Sequence, residues 1–193
     1  MTINWDEHAD TWDTDEVTSI YAEEAYSSLI KTFNIKGKHV LDFGSGTGLL
    51  SQKMSPEVKD IVALDFSEAM IEQLDNKSLP NVEAVVDSLT RGLVAIHPAF
   101  RNQFDLVVAS SVCGFLPNYA DVSDIVYSLL EDGGHFIHWD WLAAHSDEEM
   151  AMEPAHVERV LTGVGFKHVE TSVPFEITTE QGVFKVMMAV AVK

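Results

Sequence analysis

The apolar positions change period along the chain. Tyr21, Ala25, Leu29 and Phe33 recur at four-residue steps, the spacing that lines one face of a helix over Ile20–Phe33. Asn34 and Gly37 predict its end. Beyond them the chain alternates short apolar runs with helical spacing. Strands are expected at His39–Phe43, Ile61–Leu64, Val82–Val86, Leu106–Ala109 and Phe136–Trp141. Helices are expected near Leu49–Met54, from Ser67 (as N-cap) through Leu74, and over Val122–Leu130, the last ended by a left-handed cap at Gly133-Gly134. Residues 88–103 resist assignment, because His97-Pro98 and Arg101-Asn102 interrupt any long helix. A helix at Glu153–Val164 follows, then strands at Lys167–Phe175 and Val183–Val192 joined by a turn at Thr178–Gly182. Strand and helix in alternation predict an α/β fold: a doubly wound, seven-stranded, mostly parallel sheet with helices on both faces. The last two strands have no helix between them and form an antiparallel C-terminal strand pair.

Composition narrows the class. The 193 residues are 46% apolar and 22% charged, which suits one domain spanning 1–193 with its own core. Lys plus Arg number 12 against 31 Asp plus Glu, a net charge of −19, which argues against nucleic acid or an anionic membrane as partner. One cysteine excludes an intrachain disulfide. The acidic start lacks the basic segment of a secretory signal, and the longest apolar run, Val186–Val192, is far below a membrane span. A cytoplasmic monomer or homodimer is the expectation. Eight acids and no Lys or Arg in the first 24 residues predict a solvated arm, on which Trp5 or Trp12 packs back against the body.

The chemistry concentrates at the ends of the first three strands. Gly44, Gly46 and Gly48 alternate in Val40-Leu-Asp-Phe-Gly-Ser-Gly-Thr-Gly48, between a strand and a helix. Glycine there allows a tight turn and close approach of a ligand to the main chain. The spacing is not that of a dinucleotide fingerprint, since Leu49 stands three after Gly46, nor that of a P-loop. Asp42 precedes the turn, placed to accept from an ammonium group. Asp65 ends the second strand 23 residues later, where such sheets commonly bind a ribose, and Asp87 ends the third. Three carboxylates in register with one glycine turn point to one ligand crevice.

These residues, with Val62-Ala-Leu-Asp-Phe-Ser67, Val82-Glu-Ala-Val-Val-Asp87, Phe104-Asp-Leu-Val-Val-Ala-Ser110 and Leu129-Leu-Glu-Asp-Gly-Gly134, resemble a class I S-adenosylmethionine-dependent methyltransferase of the small-molecule type. Trp12-Asp13 resembles the aromatic-Asp pair of such enzymes, so the likeness runs from about Trp12 to the C-terminus. The family's proline before Gly133-Gly134 is missing. The resemblance implies a Rossmann-like core over 35–193 that binds S-adenosyl-L-methionine and releases S-adenosyl-L-homocysteine, with residues 1–34 covering the site. It implies that Asp42 and the backbone of Gly44, Ser45, Gly46, Thr47 and Gly48 hold the methionine moiety. Asp65 takes the two ribose hydroxyls, with Ser67 beside it and Phe66 beside the adenine. Asp87, Ser88 and Leu89 hold the adenine, and Ala109, Ser110 and Ser111 line the cofactor, with Trp12 over it. Met70 is expected in the core.

Acceptor chemistry is less marked. His138 and Asp140 break an otherwise apolar middle strand and read either as a hydrogen-bonded core pair or as substrate-facing catalytic residues, base and orienter. One of Trp139 and Trp141 is expected to face the pocket. Cys113 reads as a small buried hydrophobe. The eight histidines show no metal-ligand spacing, so no metal is expected. Residues 143–152 are expected to form a lid. The reading is a methyltransferase acting on a small molecule; the alternatives are an S-adenosylmethionine-binding protein with another transfer reaction or a non-catalytic regulatory role. A nicotinamide-dependent dehydrogenase is disfavoured by the glycine spacing.

Overall fold

Five runs rich in Val, Ile, Leu and Phe pair in parallel: β1 (His39–Phe43), β2 (Asp60–Asp65), β3 (Val82–Val86), β4 (Phe104–Ser110) and β5 (Leu130–Trp141). The computed structural model describes residues 4–143 and 150–193. Among these residues β6 (His168–Thr179) and β7 (Gly182–Val192) complete one seven-stranded sheet, in the order β3-β2-β1-β4-β5-β7-β6. β7 is the reversed strand. It lies between β5 and β6 and runs antiparallel to both, so the C-terminal hairpin joins the sheet through its second strand.

Side chains alternate across the strands and divide the core in two. Leu41, Leu64, Val107 and Phe136 face α5 (Arg91–Ile96), α6 (Tyr119–Leu129) and α7 (Pro154–Val164), which bring Leu93, Val126, Leu129 and Leu161. Val40, Ile61, Val108, Ile137 and Trp139 face α2 (Glu16–Thr32), α3 (Leu49–Met54) and α4 (Glu68–Asn76), which bring Leu29, Leu50, Met54 and Leu74. A sheet covered on both faces needs apolar residues at nearly every central position, which is why the strands read as unbroken runs.

The helix boundaries follow local caps. Asp15 accepts from the Thr18 amide at 2.8 Å and starts α2 before Ile20. Ser67 caps α4 through the Met70 amide, as expected. The unassigned stretch becomes α5, capped by Thr90 on the Leu93 amide, and a 3-10 turn at Pro98–Phe100. The cap expected at Gly133-Gly134 is a correction. α6 ends at Leu129, because Leu130 turns extended, pairs with Phe104, and accepts from Gln103 and Lys193. Gly133, at φ 80°, serves a turn within the entry to β5. No helix among the described residues is long and apolar enough to cross a membrane.

β1 leads outward to β2 and β3, and the chain then returns to place β4 and β5 on the other side of β1. The order reverses between β1 and β4, and open sheets of this kind bind ligands outside the strand ends at such a switch point.

Candidate active site

A cavity of about 1070 Å³ lies over this switch point, bounded by the carboxyl ends of β1 to β5 and by the N-terminal arm. It exceeds the usual size of a single small-ligand pocket, roughly 300–1,000 Å³. The glycine turn forms its floor. Gly44, Gly46 and Gly48 take φ of 69°, 54° and 80°, in the left-handed region that side chains avoid. A Cβ on Gly44 would lie 2.4 Å from Cγ2 of Val112, so the turn and the loop after β4 approach as closely as glycine permits.

Asp42 is buried beneath the turn. Its Oδ2 accepts from the Ser51 hydroxyl at 2.6 Å, while Oδ1 has no partner in the chain. Burial pushes its carboxyl up to about 6; the negative charge of Asp65 adds to the shift and the Ser51 hydrogen bond opposes it. The Ser45 hydroxyl is also buried and unpartnered. Asp65 organises the turn: Oδ2 accepts from the Gly46 amide at 2.8 Å and Oδ1 from the Ser67 amide at 2.9 Å. Burial raises this carboxyl, and those backbone bonds hold it back. Asp87 accepts from the Ser88 amide at 2.7 Å, and its own amide donates to the Asp65 carbonyl. Phe66 lies on the wall with 60% of its surface exposed.

The acidic arm is not simply solvated. It forms a 3-10 turn at Trp5–His8 and α1 (Ala9–Trp12), and Asp6, Asp10 and Asp13 are anchored, as is Glu23, by Lys53. Asp6 accepts from the Ser67 hydroxyl at 2.5 Å and Asp10 from the Gln73 amide group at 3.0 Å. Asp13 accepts from the Thr47 hydroxyl at 2.5 Å and pairs with Lys77 at 2.7 Å. These contacts strap the arm to α4 and the glycine turn. Trp5 meets Trp12 and Phe115 edge-on, with centroids at 5.7 and 5.2 Å, and all three line the cavity.

His138 and Asp140 meet each other, but neither lines the cavity, which corrects the substrate-facing expectation. They are 0% and 1% exposed, on the sheet face covered by α6. His138 Nδ1 lies 2.7 Å from Asp140 Oδ2 and Nε2 lies 2.9 Å from the Tyr119 hydroxyl, while Asp140 Oδ1 accepts from the Gly114 amide at 2.8 Å. Burial keeps the Tyr119 phenol protonated, its pKa raised. With Nδ1–H donating to the carboxylate, the Nε2 lone pair accepts from that phenol and is not free to take an acceptor's proton. Cys113 is buried beside them, its thiol pushed up by burial. Its sulfur, with one ligand atom each from His138 and Asp140, forms a group within 4.8 Å, but a metal would have to displace these hydrogen bonds.

Of the residues singled out in the sequence, Trp12, Asp42, Gly44, Ser45, Gly46, Asp65, Phe66, Asp87, Ser88, Leu89, Ser110 and Ser111 line the cavity. Thr47, Gly48, Ser67 and Ala109 do not. Thr47 binds the arm, Gly48 makes the left-handed entry to α3, Ser67 caps α4, and Ala109 is buried in the sheet. Met70 is buried as expected and also reaches the wall. Trp141 faces the cavity, while Trp139 lies deeper and donates to the Ser28 hydroxyl at 2.8 Å. Within the proposed lid, 144–149 lie outside the described residues; Met150 lines the cavity and Met152 pairs with Trp141. The sequence placed Trp5 against the body and Tyr21 on a helix face without assigning either to the site, and it missed Phe115; aromatic character was the available signal.

Comparison with known proteins agrees with this architecture. A family profile described as a methyltransferase domain matches residues 19–171. An uncharacterised methyltransferase of Schizosaccharomyces pombe is 28% identical over 134 residues, 62% of this chain and 47% of that protein. The ubiquinone biosynthesis O-methyltransferase of Marinobacter nauticus is 29% identical over 103 residues, 53% of this chain and 43% of that protein. The chain thus spans less than half the length of these curated relatives. The solved DhpI-SAM-HEP complex shares the fold, with a TM-score of 0.74 at 20% identity over 96% of this chain and 93% of that one. A SAM-dependent methyltransferase from Aquifex aeolicus does so at 0.73 and 15% identity, over 99% of both chains. The profile match takes in the glycine turn and all three strand-end acids, and the chain belongs to the methyltransferase domain family.

Proposed function

We propose that the cavity holds S-adenosylmethionine across the ends of β1 to β4 and that the protein transfers its methyl group to a small molecule in the same cavity. The observation that carries this reading is Asp42 Oδ1, a buried carboxylate oxygen without a partner, in a cavity also lined by Ser45, whose hydroxyl is likewise buried and unpartnered. A buried acceptor of this kind suits a charged donor, and the ammonium of the methionine moiety is one. Asp65, whose two oxygens keep lone pairs beyond the Gly46 and Ser67 amides, would take the ribose hydroxyls. Asp87, Ser88 and Leu89 would hold the adenine, with exposed Phe66 beside it. When bound, the cofactor supplies an electrophilic methyl that an acceptor lone pair displaces in line from sulfur. The chain's own residues position the two reactants: the arm, strapped by Asp6, Asp10 and Asp13, covers the cavity and excludes water.

Calorimetry tests this. S-adenosylhomocysteine is expected to bind and NAD is not; the reverse would sink the reading. Asp42 adds a pH signature. Its free carboxyl titrates at about 6, and the ammonium favours the ionised form, so affinity should rise as pH rises through that value. At pH 5 only about a tenth of Asp42 would be ionised, making binding about tenfold weaker than at pH 7. Between the bound and free pKa values, binding releases a proton, which appears as a buffer-dependent heat. Asp42→Asn should remove both signatures, and their persistence would assign them to another group.

A further inference from the structure

The cofactor reading uses the strand-end acids and the glycine turn. The cavity wall also carries Trp5, Tyr21, Phe115, Trp141 and Met150, from the arm, α2, the loop after β4, the end of β5 and the chain beyond it. Trp5 meets Phe115 edge-on, and Tyr21 meets Trp141 edge-on, both at 5.2 Å. Stiff aromatic faces bury a flat ring at little conformational cost. The Tyr21 hydroxyl is buried and makes no hydrogen bond of normal geometry; Ser111 is close enough to interact with it, and Asp140 and Cys113 lie near. Burial raises its pKa well above the usual phenol range, so it stays protonated and can both donate and accept. The ring is held from both sides, against Trp141 and against Phe175 at 5.5 Å, so the hydroxyl is fixed in place.

Charge restricts what can enter. Asp15, Asp42, Asp65 and Asp87 line the cavity, and no Lys or Arg does among the described residues. Hydrogen bonds from Thr18 hold the Asp15 carboxyl below its usual range. An anionic acceptor would meet this field with no Lys or Arg among the described residues to receive it and only His8 as a basic side chain on the wall, whereas aromatic faces and carboxylates tolerate a neutral or cationic one.

We propose that this aromatic wall takes a small aromatic acceptor that bears a hydroxyl or amine and no phosphate, sulfate or carboxylate, and that the Tyr21 hydroxyl holds that hydroxyl or amine. The inference rests on the methyltransferase reading above.

The test measures binding rather than turnover, using the full chain saturated with S-adenosylhomocysteine and read by tryptophan fluorescence. Dopamine, 4-methylcatechol and 3,4-dihydroxybenzoate share a ring and its hydroxyls but carry cationic, neutral and anionic tails. The first two are expected to bind at least about tenfold more tightly than the third. Equal or tighter binding of the benzoate, or no binding of any at millimolar concentration, overturns the class. Tyr21→Phe keeps the ring packing. It should lose about tenfold in 4-methylcatechol affinity and much of the preference for 4-methylcatechol over toluene, with S-adenosylhomocysteine binding unchanged. Unchanged 4-methylcatechol affinity, or an equal loss for toluene, overturns the hydroxyl contact. Failure to bind S-adenosylhomocysteine at all would defeat the methyltransferase reading; normal binding with the wrong ranking defeats only this inference.

Discussion

Asp65→Ala is expected to weaken S-adenosylhomocysteine binding by about 1.5–3 kcal/mol, the range for hydrogen bonds to a charged group, or roughly 10- to 150-fold in Kd. Two causes act in one direction. The variant loses the proposed ribose acceptor, and it frees the Gly46 and Ser67 amides that the carboxylate holds at 2.8 and 2.9 Å. The turn is already in the left-handed region at three glycines, so it has little local preference for the bound shape without that anchor. A second readout separates this residue from its neighbour. The Asp65 charge helps to raise the Asp42 carboxyl to about 6, so its removal should shift the pH midpoint of binding below that value. Asp65→Asn keeps one acceptor oxygen and should lose less affinity while shifting the midpoint in the same way. Unchanged affinity in Asp65→Ala, measured by calorimetry at neutral pH, would show that Asp65 is not the ribose ligand.

The acids and the aromatic wall of the cavity differ in how far the sequence reveals them, and the difference is one of distance along the chain. Asp42, Asp65 and Asp87 each stand at a strand's carboxyl end or directly after it, beside the turn they serve, so period and turn chemistry place them without tertiary information. The sheet was readable for the same reason, since each buried strand is a contiguous run. Tyr21 shows what local reading leaves out. Four-residue spacing puts it correctly on the inward face of α2, together with Ala25 and Leu29. Near the helix start, however, that face also borders the cavity, and Tyr21 packs on Trp141, 120 positions away. The arm acids look solvated because their partners, Thr47, Ser67, Gln73 and Lys77, lie far along the chain. The order of the last strands is likewise a long-range choice: the turn at Thr179–Gly182 requires a hairpin but does not say which strand meets β5.

His138 and Asp140 are intermediate. Their two-residue spacing puts them on one face and in contact, as period two requires, but it is the face of Phe136, turned towards Tyr119 and α6. Asp140 also holds the loop after β4, through the Gly114 amide. A Cβ at Gly114 would lie 2.6 Å from the Met150 carbonyl, so this amide sits where the loop after β4 presses on the chain beyond β5. Phe115, the next residue, is the aromatic that meets Trp5 across the cavity.

Asp140→Ala should consequently cost at least about 1–3 kcal/mol of folding stability, because the buried His138 Nδ1–H loses its acceptor, with a smaller addition from the part-buried Gly114 amide. The loss should appear as a lower urea midpoint with an unchanged slope, since the surface exposed on unfolding is the same. The variant should also separate the two ligands. S-adenosylhomocysteine, proposed to lie across the ends of β1 to β4, should bind nearly as before in the folded fraction, whereas an aromatic acceptor that depends on Phe115 should bind more weakly. Asp140→Asn provides the contrast. Its amide oxygen can still accept from Gly114, so the loop should stay in place and the acceptor affinity largely survive, while the pairing with His138 is disturbed. A stability loss below about 1 kcal/mol in Asp140→Ala would mean that neither donor is left unpaired and that water or a rearranged loop replaces the carboxylate. Equal acceptor affinity in the Ala and Asn variants would mean that the Gly114 bond does not hold the aromatic wall.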